Sequence, residues 1–323
     1  MKKLIVLVMI CILSLSGCSY NETAKETAFP HAETDSPATK ADPPPSSTTI
    51  APSKTQSHPK EPSESEKDPP LIIVQPEPAD DDFVKVITYI PDIFIDLRYS
   101  TEFNFTNRKI YDFSDVWLRY GTVKKLALVQ EELKQSGRYL KIWDGFRPPS
   151  AQFKLWDICP DPTYVSNPNN GFSSHSRGNT VDVTLVNADG TELDMPTGFD
   201  DFSKLADRDY SDCKKEAAAN AILLEELMKK HGFKPYSGEW WHFSDTHSYP
   251  VDEAFEPIKA TEYRADCNEY ISLRSKPDTA SSLITKIYVD ERFQVVAKHS
   301  DFALIEYNGL SGYVLLKYIQ PVK

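Results

Sequence analysis

Three pieces of this chain carry residue types from which a hydrolytic metal site is built. They are Ser173-Ser174-His175-Ser176-Arg177-Gly178, then Asp182, then Glu239-Trp240-Trp241-His242. Two neutral imidazoles and one carboxylate, His175, His242 and Asp182, are donors used by a catalytic Zn²⁺ site, which keeps a fourth position open to water. Glu239, three residues before His242, is a carboxylate outside that ligand set, where a general base belongs. Each piece alone is short and uninformative, because Glu-x-x-His and His/Asp pairs are common on ordinary surfaces. Their co-occurrence in this order points to one zinc ion per chain and to hydrolysis. Among the other histidines, His247 is the rival ligand, five residues beyond His242. His31 and His58 fall in a proline-rich stretch, His231 ends a helical pattern, and His299 lies in a separate β-rich region.

The stretch from about Phe94 to Ser244 resembles the zinc D-alanyl-D-alanine dipeptidases, the enzymes known from vancomycin resistance. Five separated blocks carry the resemblance. They are Asp96-Leu97-Arg98-Tyr99-Ser100-Thr101 with Asn104-Phe105-Thr106; Trp143-Asp144-Gly145-Phe146-Arg147-Pro148; the His175 block with Val181-Asp182-Val183-Thr184-Leu185; Leu193-Asp194-Met195 with Phe199-Asp200; and Glu239-Trp240-Trp241-His242. The resemblance implies an α+β fold shared with other D,D-peptidases and with the hedgehog signalling domain. It implies that Arg147 holds the developing oxyanion, that Ser173 bonds the substrate carboxylate and that Asp200 pairs with its free amine. One departure is Met195-Pro196-Thr197-Gly198, where the family usually has Met-Gly-Thr-Pro or a near relative.

These groups need rigid elements behind them. Leu126, Val129 and Leu133 recur at helical spacing within Val116–Gln135, and Gly137 follows as a stop. Tyr139–Trp143 reads as a strand that delivers Asp144-Gly145-Phe146-Arg147-Pro148 at its end. The β-branched run Val181–Val186 reads as a strand carrying Asp182, closed by the turn Asn187-Ala188-Asp189-Gly190. Cys213–Lys230 reads as a second helix, capped by Ser211 or Asp212, with Ile222, Leu223 and Leu227 inward and Gly232 as its stop. Gly238–Phe243 reads as a last strand. On a regular strand, however, residues three apart face opposite ways, so Glu239 and His242 converge only if that strand bulges or starts late.

Composition bounds the rest. Lys2-Lys3, an apolar run Leu4–Leu15 and Leu15-Ser16-Gly17-Cys18 resemble a bacterial lipoprotein signal, with residues 1–17 removed and Cys18 lipidated. The apolar run is too short to span a bilayer. The expectation is an exported chain, anchored by lipid to the outer face of the cytoplasmic membrane. From Ser19 to Asp82 the chain holds 12 of its 24 prolines, two aromatics, 13 acidic and 5 basic residues, which reads as a disordered linker over 18–82. Leu71-Ile72-Ile73-Val74 is its one apolar exception, a strand or a docking patch. The linker contributes −8 of the net −12, and residues 83–323 offer no basic stripe for nucleic acid.

Cys159, Cys213 and Cys267 remain after the signal, and either a Cys159–Cys213 bridge or isolated thiols fits. Residues 83–258 are expected to form the zinc domain. Residues 259–323, with closely spaced strands and the hairpin signal Asn308-Gly309, resemble a bacterial Src-homology-3 type domain, a small all-β barrel. That resemblance implies binding to wall peptide or glycan, and the alternative is a module that only packs on its neighbour. The functional expectation is hydrolysis of D-alanyl-D-alanine outside the membrane in wall-peptide turnover. The alternatives are a D,D-carboxypeptidase that trims stem peptides and an inert wall-binding lipoprotein.

Overall fold

The computed structural model describes residues 75–322. The signal, Cys18, most of the linker and the Leu71–Val74 run lie outside the described residues. The chain enters through β1 (Phe83–Lys85), a single-turn helix α1 (Val86–Tyr89) and the two-residue β2 (Phe94–Ile95). Next, β3 (Trp117–Arg119) pairs antiparallel with β1 and runs directly into α2 (Tyr120–Lys134). That pairing explains why the helix starts four residues later than its apolar spacing suggests. Val116–Arg119 find their backbone partners across β1 and on Gly178, not along a helix axis. Within α2, Val123, Leu126, Val129 and Leu133 are fully buried, and Gly137 closes the turn at φ 69°.

The central sheet is made by β2 with β4 (Arg138–Asp144), β5 (Thr180–Asn187), β6 (Phe233–Pro235) and β7 (His242–Asp245), in the order β2-β4-β5-β7-β6. Only β2 and β4 run parallel. Helices α3 (Pro149–Ile158) and α4 (Lys215–Lys230) flank it in sequence. Strand β5 is buried from Thr180 to Val186, which is what a near-continuous β-branched run requires when both faces are covered.

The expected start and face of α4 are both displaced. Ser211 and Asp212 belong to a separate short turn, Tyr210–Asp212, capped by Asp209. The helix begins at Lys215 and has no side-chain cap. Its inward stripe is Ala217, Ala221, Leu224 and Met228 together with Leu227, while Ile222 is exposed. Alternating three- and four-residue steps from Ala217 trace one helix face, and Ile222 lies off it. Gly232, at φ 88°, ends the helix as expected.

The C-terminal β domain contains β8 (Phe255–Ala265), β9 (Tyr270–Arg274), β10 (Leu283–Tyr288), β11 (Arg292–His299), β12 (Phe302–Tyr307), β13 (Leu310–Leu315) and β14 (Ile319–Pro321). They form one antiparallel sheet in the order β10-β9-β13-β12-β11-β8-β14. Asn308 and Gly309 make the two-residue turn between β12 and β13, both at positive φ as a type I′ hairpin demands. The division at 258/259 falls inside the continuous strand β8, so the two regions share a strand. They share a core as well. Phe255, Val296, Ala297, Phe302, Leu304 and Tyr313 join the apolar cluster of the mixed α/β region, and a second cluster around Leu273, Ile287 and Val314 belongs to the β domain alone.

The last residues assigned to the linker are also part of the fold. Gln75 exchanges side-chain hydrogen bonds with the Ser311 backbone, Glu77 accepts from Tyr120, and the carbonyls of Asp80 and Asp82 accept from Gly121 and Tyr120. Cys159, Cys213 and Cys267 are free thiols, so no Cys159–Cys213 bridge forms.

Candidate active site

Register on the central sheet places the key carboxylates and one imidazole in a single row. Asp182 on β5 lies opposite His242 on β7, and opposite Asp144 on β4. Directly opposed residues on paired strands face the same side. A regular β4 would have set Trp143 opposite Asp182. The register shift between Ile142 and Asp144 moves Asp144 into the row instead, the kind of re-aiming a bulge produces.

His175 reaches this row from a short 3₁₀ turn, Ser174–Arg177, ended by Gly178 at φ 73°. A side chain at Gly178 would meet the Phe83 ring at 2.3 Å, so glycine is needed there for space as well as conformation. The His175 Nδ1 lies 2.8 Å from the Gly145 carbonyl, which makes Nδ1 the protonated nitrogen and leaves the Nε2 lone pair facing the row.

Three ligand-type atoms converge. His175 Nε2 is 3.3 Å from His242 Nδ1 and 3.4 Å from Asp182 Oδ2, and His242 Nδ1 is 3.0 Å from Asp182 Oδ1. Yet Asp182 Oδ1 is buried and lacks a regular hydrogen bond, with only that imidazole nitrogen beside it. A tetrahedral ion with bonds of about 2.0–2.1 Å holds its ligand atoms about 3.3 Å apart. The donor set and its spacing therefore fit zinc, and the orphaned oxygen has no better partner among the described residues. Burial works against ionisation of Asp182, but His175 and then His242 outweigh it and hold the carboxyl well below the usual range. Burial also works against a charged His175, and Asp182 and Asp144 together raise its pKa despite that.

Glu239 is not on a strand. His242 opens β7, and its N–H donates to the Glu239 carbonyl across a tight turn. That turn removes the opposite-face difficulty and leaves Glu239 Oε2 3.5 Å from His242 Nδ1. Burial first, then the charge of Asp182, pushes the Glu239 pKa up, toward the range useful to a base. Trp240 and Trp241 are buried and anchor the turn, with the Trp240 Nε1 donating to Thr197.

Arg147 sits across the same cleft, held at every nitrogen. Its Nη2 donates to Asp144 Oδ2 at 2.7 Å, Nη1 to Gln152 at 3.1 Å and Nε to the Tyr111 hydroxyl at 3.3 Å, while the Tyr99 ring stacks 5.1 Å away. Burial alone would lower its pKa; Asp144 reverses that and keeps the guanidinium charged. The ion pair with Asp144 and the place in the cleft coexist, because Asp144 lies behind Arg147 in the sheet row.

Asp200, at φ 55°, accepts from the Tyr99 hydroxyl at 3.0 Å and lines the cleft. The Pro196-Thr197-Gly198 departure leaves it there, since Thr197 is tied to Trp240 and Met195 packs on the core. Burial and then Asp182 push the Asp200 pKa up to about 8. Ser173 lines the cleft too, and its hydroxyl also accepts from the His175 backbone. His247 is exposed, edge-on against Tyr249 and outside the cluster.

The whole cleft measures about 290 Å³, near the small end of ligand sites. A larger cavity of about 600 Å³ lies between residues 75–89 and the β domain, but it gathers no metal-ligating set. Its lysines are already paired, Lys85 with Glu306 and Lys276 with Asp82.

Sequence reasoning gave no role to Asp144, Tyr99, Tyr111, Gln152 or Ser174, whose hydroxyl lies 3.4 Å from His242 Nε2. Asp144 and Tyr99 stood inside recognised blocks. Gln152, a buried polar side chain on α3, gave no signal in the chain.

Residues 79–260 match the family model described as D-ala-D-ala dipeptidase, and residues 269–320 match the bacterial SH3 domain. The chain is 36% identical over 172 residues to a D-alanyl-D-alanine dipeptidase of Escherichia coli (strain K12), covering 53% of this chain and 89% of that enzyme. A D-alanyl-D-alanine dipeptidase of Enterococcus faecium is 31% identical over 169 residues, 46% of this chain and 83% of its own length. One of Streptomyces coelicolor is 32% identical over 187 residues, 50% of this chain and 91% of its own.

Proposed function

Because the chain belongs to the D-Ala-D-Ala dipeptidase family and carries a bacterial SH3 domain, we propose that it is a zinc peptidase splitting free D-alanyl-D-alanine into two D-alanines outside the membrane. The observation that carries this reading is the convergence of His175, Asp182 and His242, with Glu239 beside them and Arg147 across one small cleft. His175 Nε2, His242 Nδ1 and an Asp182 oxygen would hold the ion. When bound, zinc supplies Lewis acidity that polarises the scissile carbonyl and makes water acidic near neutral pH.

The remaining work falls to side chains. Glu239 accepts the proton of the water that adds to the carbonyl carbon, then delivers it to the departing amine as the C–N bond breaks. Arg147, fixed by Asp144, Gln152 and Tyr111, presents positive charge to the oxyanion without needing to reorganise. Ser173 bonds the C-terminal carboxylate. Asp200 receives the substrate ammonium, which sets the register of the dipeptide against the ion and Glu239. The signal-like start and Cys18 support a lipid anchor facing the wall, and the SH3 domain supports retention there by wall peptide.

A substrate panel on the purified chain, with D-alanine release followed, tests this reading. Free D-Ala-D-Ala should be cleaved with the highest kcat/KM and the activity should vanish on chelation. A preference for the pentapeptide stem would make the enzyme a D,D-carboxypeptidase, and no hydrolysis of either would leave a wall-binding lipoprotein.

A further inference from the structure

The loop that carries Arg147 is backed by β8, the strand that the two regions share. Phe146, the residue before Arg147, is 1% exposed and packs 4.4 Å from the Phe83 ring and 5.6 Å from the Phe255 ring. Phe255 itself stacks on Phe83 at 4.2 Å and meets Trp117 edge-on at 5.4 Å. Phe255 is the first residue of β8, and the register of that strand is set by the β domain. His299 lies opposite Phe255, Lys298 opposite Glu256 and Ala297 opposite Pro257. At the other end of the loop, the Ser150 hydroxyl donates to both Glu256 oxygens, at 2.8 and 2.9 Å. Two successive residues of β8 thus contact the chain on either side of Arg147, Phe255 through buried rings and Glu256 through exposed hydrogen bonds.

The loop has little freedom to absorb a shift. A Cβ at Gly145 would meet Val116 at 2.7 Å, the Phe146 N–H donates to Trp117, and the Arg147 N–H donates to the His175 carbonyl. Displacement at Phe146 therefore passes to the guanidinium.

We infer that Phe255 and Glu256 are positioning residues for Arg147, so that the β domain, whose strand β11 holds them, is a working part of the peptidase as well as any means of attachment. The inference rests on the role given to Arg147 above. It also assigns a purpose to the shared core. Val296, Ala297, Phe302 and Leu304, all from the β domain, belong to the same apolar cluster as Phe146 and Phe255.

The test uses the full chain, normalised to bound zinc, with free D-Ala-D-Ala as substrate. Phe255→Leu should lower kcat by about five- to tenfold, with KM changed less than twofold, because a small misplacement of a catalytic group is felt in the chemical step. Ser150→Ala should lower kcat by about two- to threefold. Ile287→Ala, a truncation in the core that belongs to the β domain alone, should lower the melting temperature and leave kcat per zinc unchanged. In an Arg147→Ala background, Phe255→Leu should cost nothing more, since the group it positions is gone.

A full multiplicative loss in that background, or unchanged kcat in a folded Phe255→Leu protein, overturns the inference. If Phe255→Leu does not fold, amide exchange decides. Ser150→Ala should raise exchange across residues 144–152, Ile287→Ala should not, and equal exchange in the two overturns the idea. Wild-type turnover in Arg147→Ala alone would instead remove the reading of the site on which this one stands.

Discussion

Asp200→Asn separates the two peptide substrates by charge. A free dipeptide brings an ammonium beside the scissile bond, whereas a stem peptide or an N-acetylated dipeptide has a neutral amide there. Asp200 is half-buried, its carboxyl accepts from the Tyr99 hydroxyl, and burial and the charge of Asp182 push its pKa up to about 8. A carboxylate against an ammonium contributes about 1.5–3 kcal/mol, or roughly ten- to hundredfold in kcat/KM. At pH 7 the free enzyme must first release the Asp200 proton, which offsets about 1.4 kcal/mol per pH unit below that pKa. The expected result is a kcat/KM on free D-Ala-D-Ala that rises by about two- to threefold from pH 7 to pH 8, because release of the Asp200 proton is partly offset by loss of the substrate ammonium, whose pKa is about 7.7–8.0. The N-acetylated substrate should lack that component of the rise. Asp200→Asn should lose roughly ten- to hundredfold on the free dipeptide at pH 8 and much less on the acetylated one. Stopped D-alanine assays on both substrates, at three pH values, give every number required. Equal kcat/KM for the two substrates, unmoved by the substitution, would refute the assignment of Asp200 to the amine and favour stem-peptide trimming.

The other expectations concern the ion, the base and stability. His175→Ala, Asp182→Ala and His242→Ala should each lower zinc content by atomic spectrometry, because each removes a converging donor; full occupancy in His242→Ala would displace it from the ligand set. Glu239→Gln should keep zinc and lose about 10²–10⁴-fold in kcat, since an amide cannot take the proton. Arg147→Ala should also keep zinc and lower kcat more than it raises KM, because the oxyanion exists only near the transition state. Asp200 also predicts a slope in stability. Its folded pKa, about 8, lies above the ordinary 3.8, so the folded chain keeps a proton that the unfolded chain has lost. That group's stabilisation is fully present below about pH 4 and is lost as pH rises toward 8, by up to about 1.4 kcal/mol per unit. In metal-free protein, Asp200→Asn should flatten that part of the curve in urea titrations at pH 5, 6.5 and 8. An unchanged slope would mean that the carboxyl ionises freely in the cleft.

Much of the site was legible because metal-site chemistry needs particular residue types, and those types stood in spaced blocks. His175, Asp182, His242, Glu239, Arg147, Ser173 and Asp200 all line one cleft. Less legible were effects that depend on pairing between distant segments. Val116–Arg119 carries a helical apolar spacing yet pairs with β1, and nothing local announces that partner. The turn at Glu239 is set by Trp240 and Trp241, whose burial against Phe199 and Trp143 is tertiary. The bulge that brings Asp144 beside Asp182 is a property of strand register, as is the β8 strand that runs across position 258. Gln152 was invisible for a related reason. A buried amide is recognised only once both partners, Arg147 and the Ser166 carbonyl, are in place.

Charge distribution in the cleft links the metal to the choice of substrate. Asp144 and Arg147 form a pair within the wall, which leaves Asp182, Glu239 and Asp200 as carboxyls facing the cleft without a fixed cation among the described residues. A divalent ion held by His175, Asp182 and His242 would answer Asp182 directly, whereas among the described residues the Asp200 carboxyl has only the Tyr99 hydroxyl as a hydrogen-bond partner. A half-buried carboxyl in that position is stable either with its own proton or with a cation supplied by the ligand. The ammonium of a free dipeptide is such a cation, and its arrival lets Asp200 ionise without leaving an unpaired charge in the cleft. An acylated amine cannot make that exchange, so a longer peptide leaves Asp200 protonated or unpaired. On the proposed reading, one half-buried carboxyl, kept neutral until an ammonium arrives, favours the dipeptide over the stem peptide without a steric barrier.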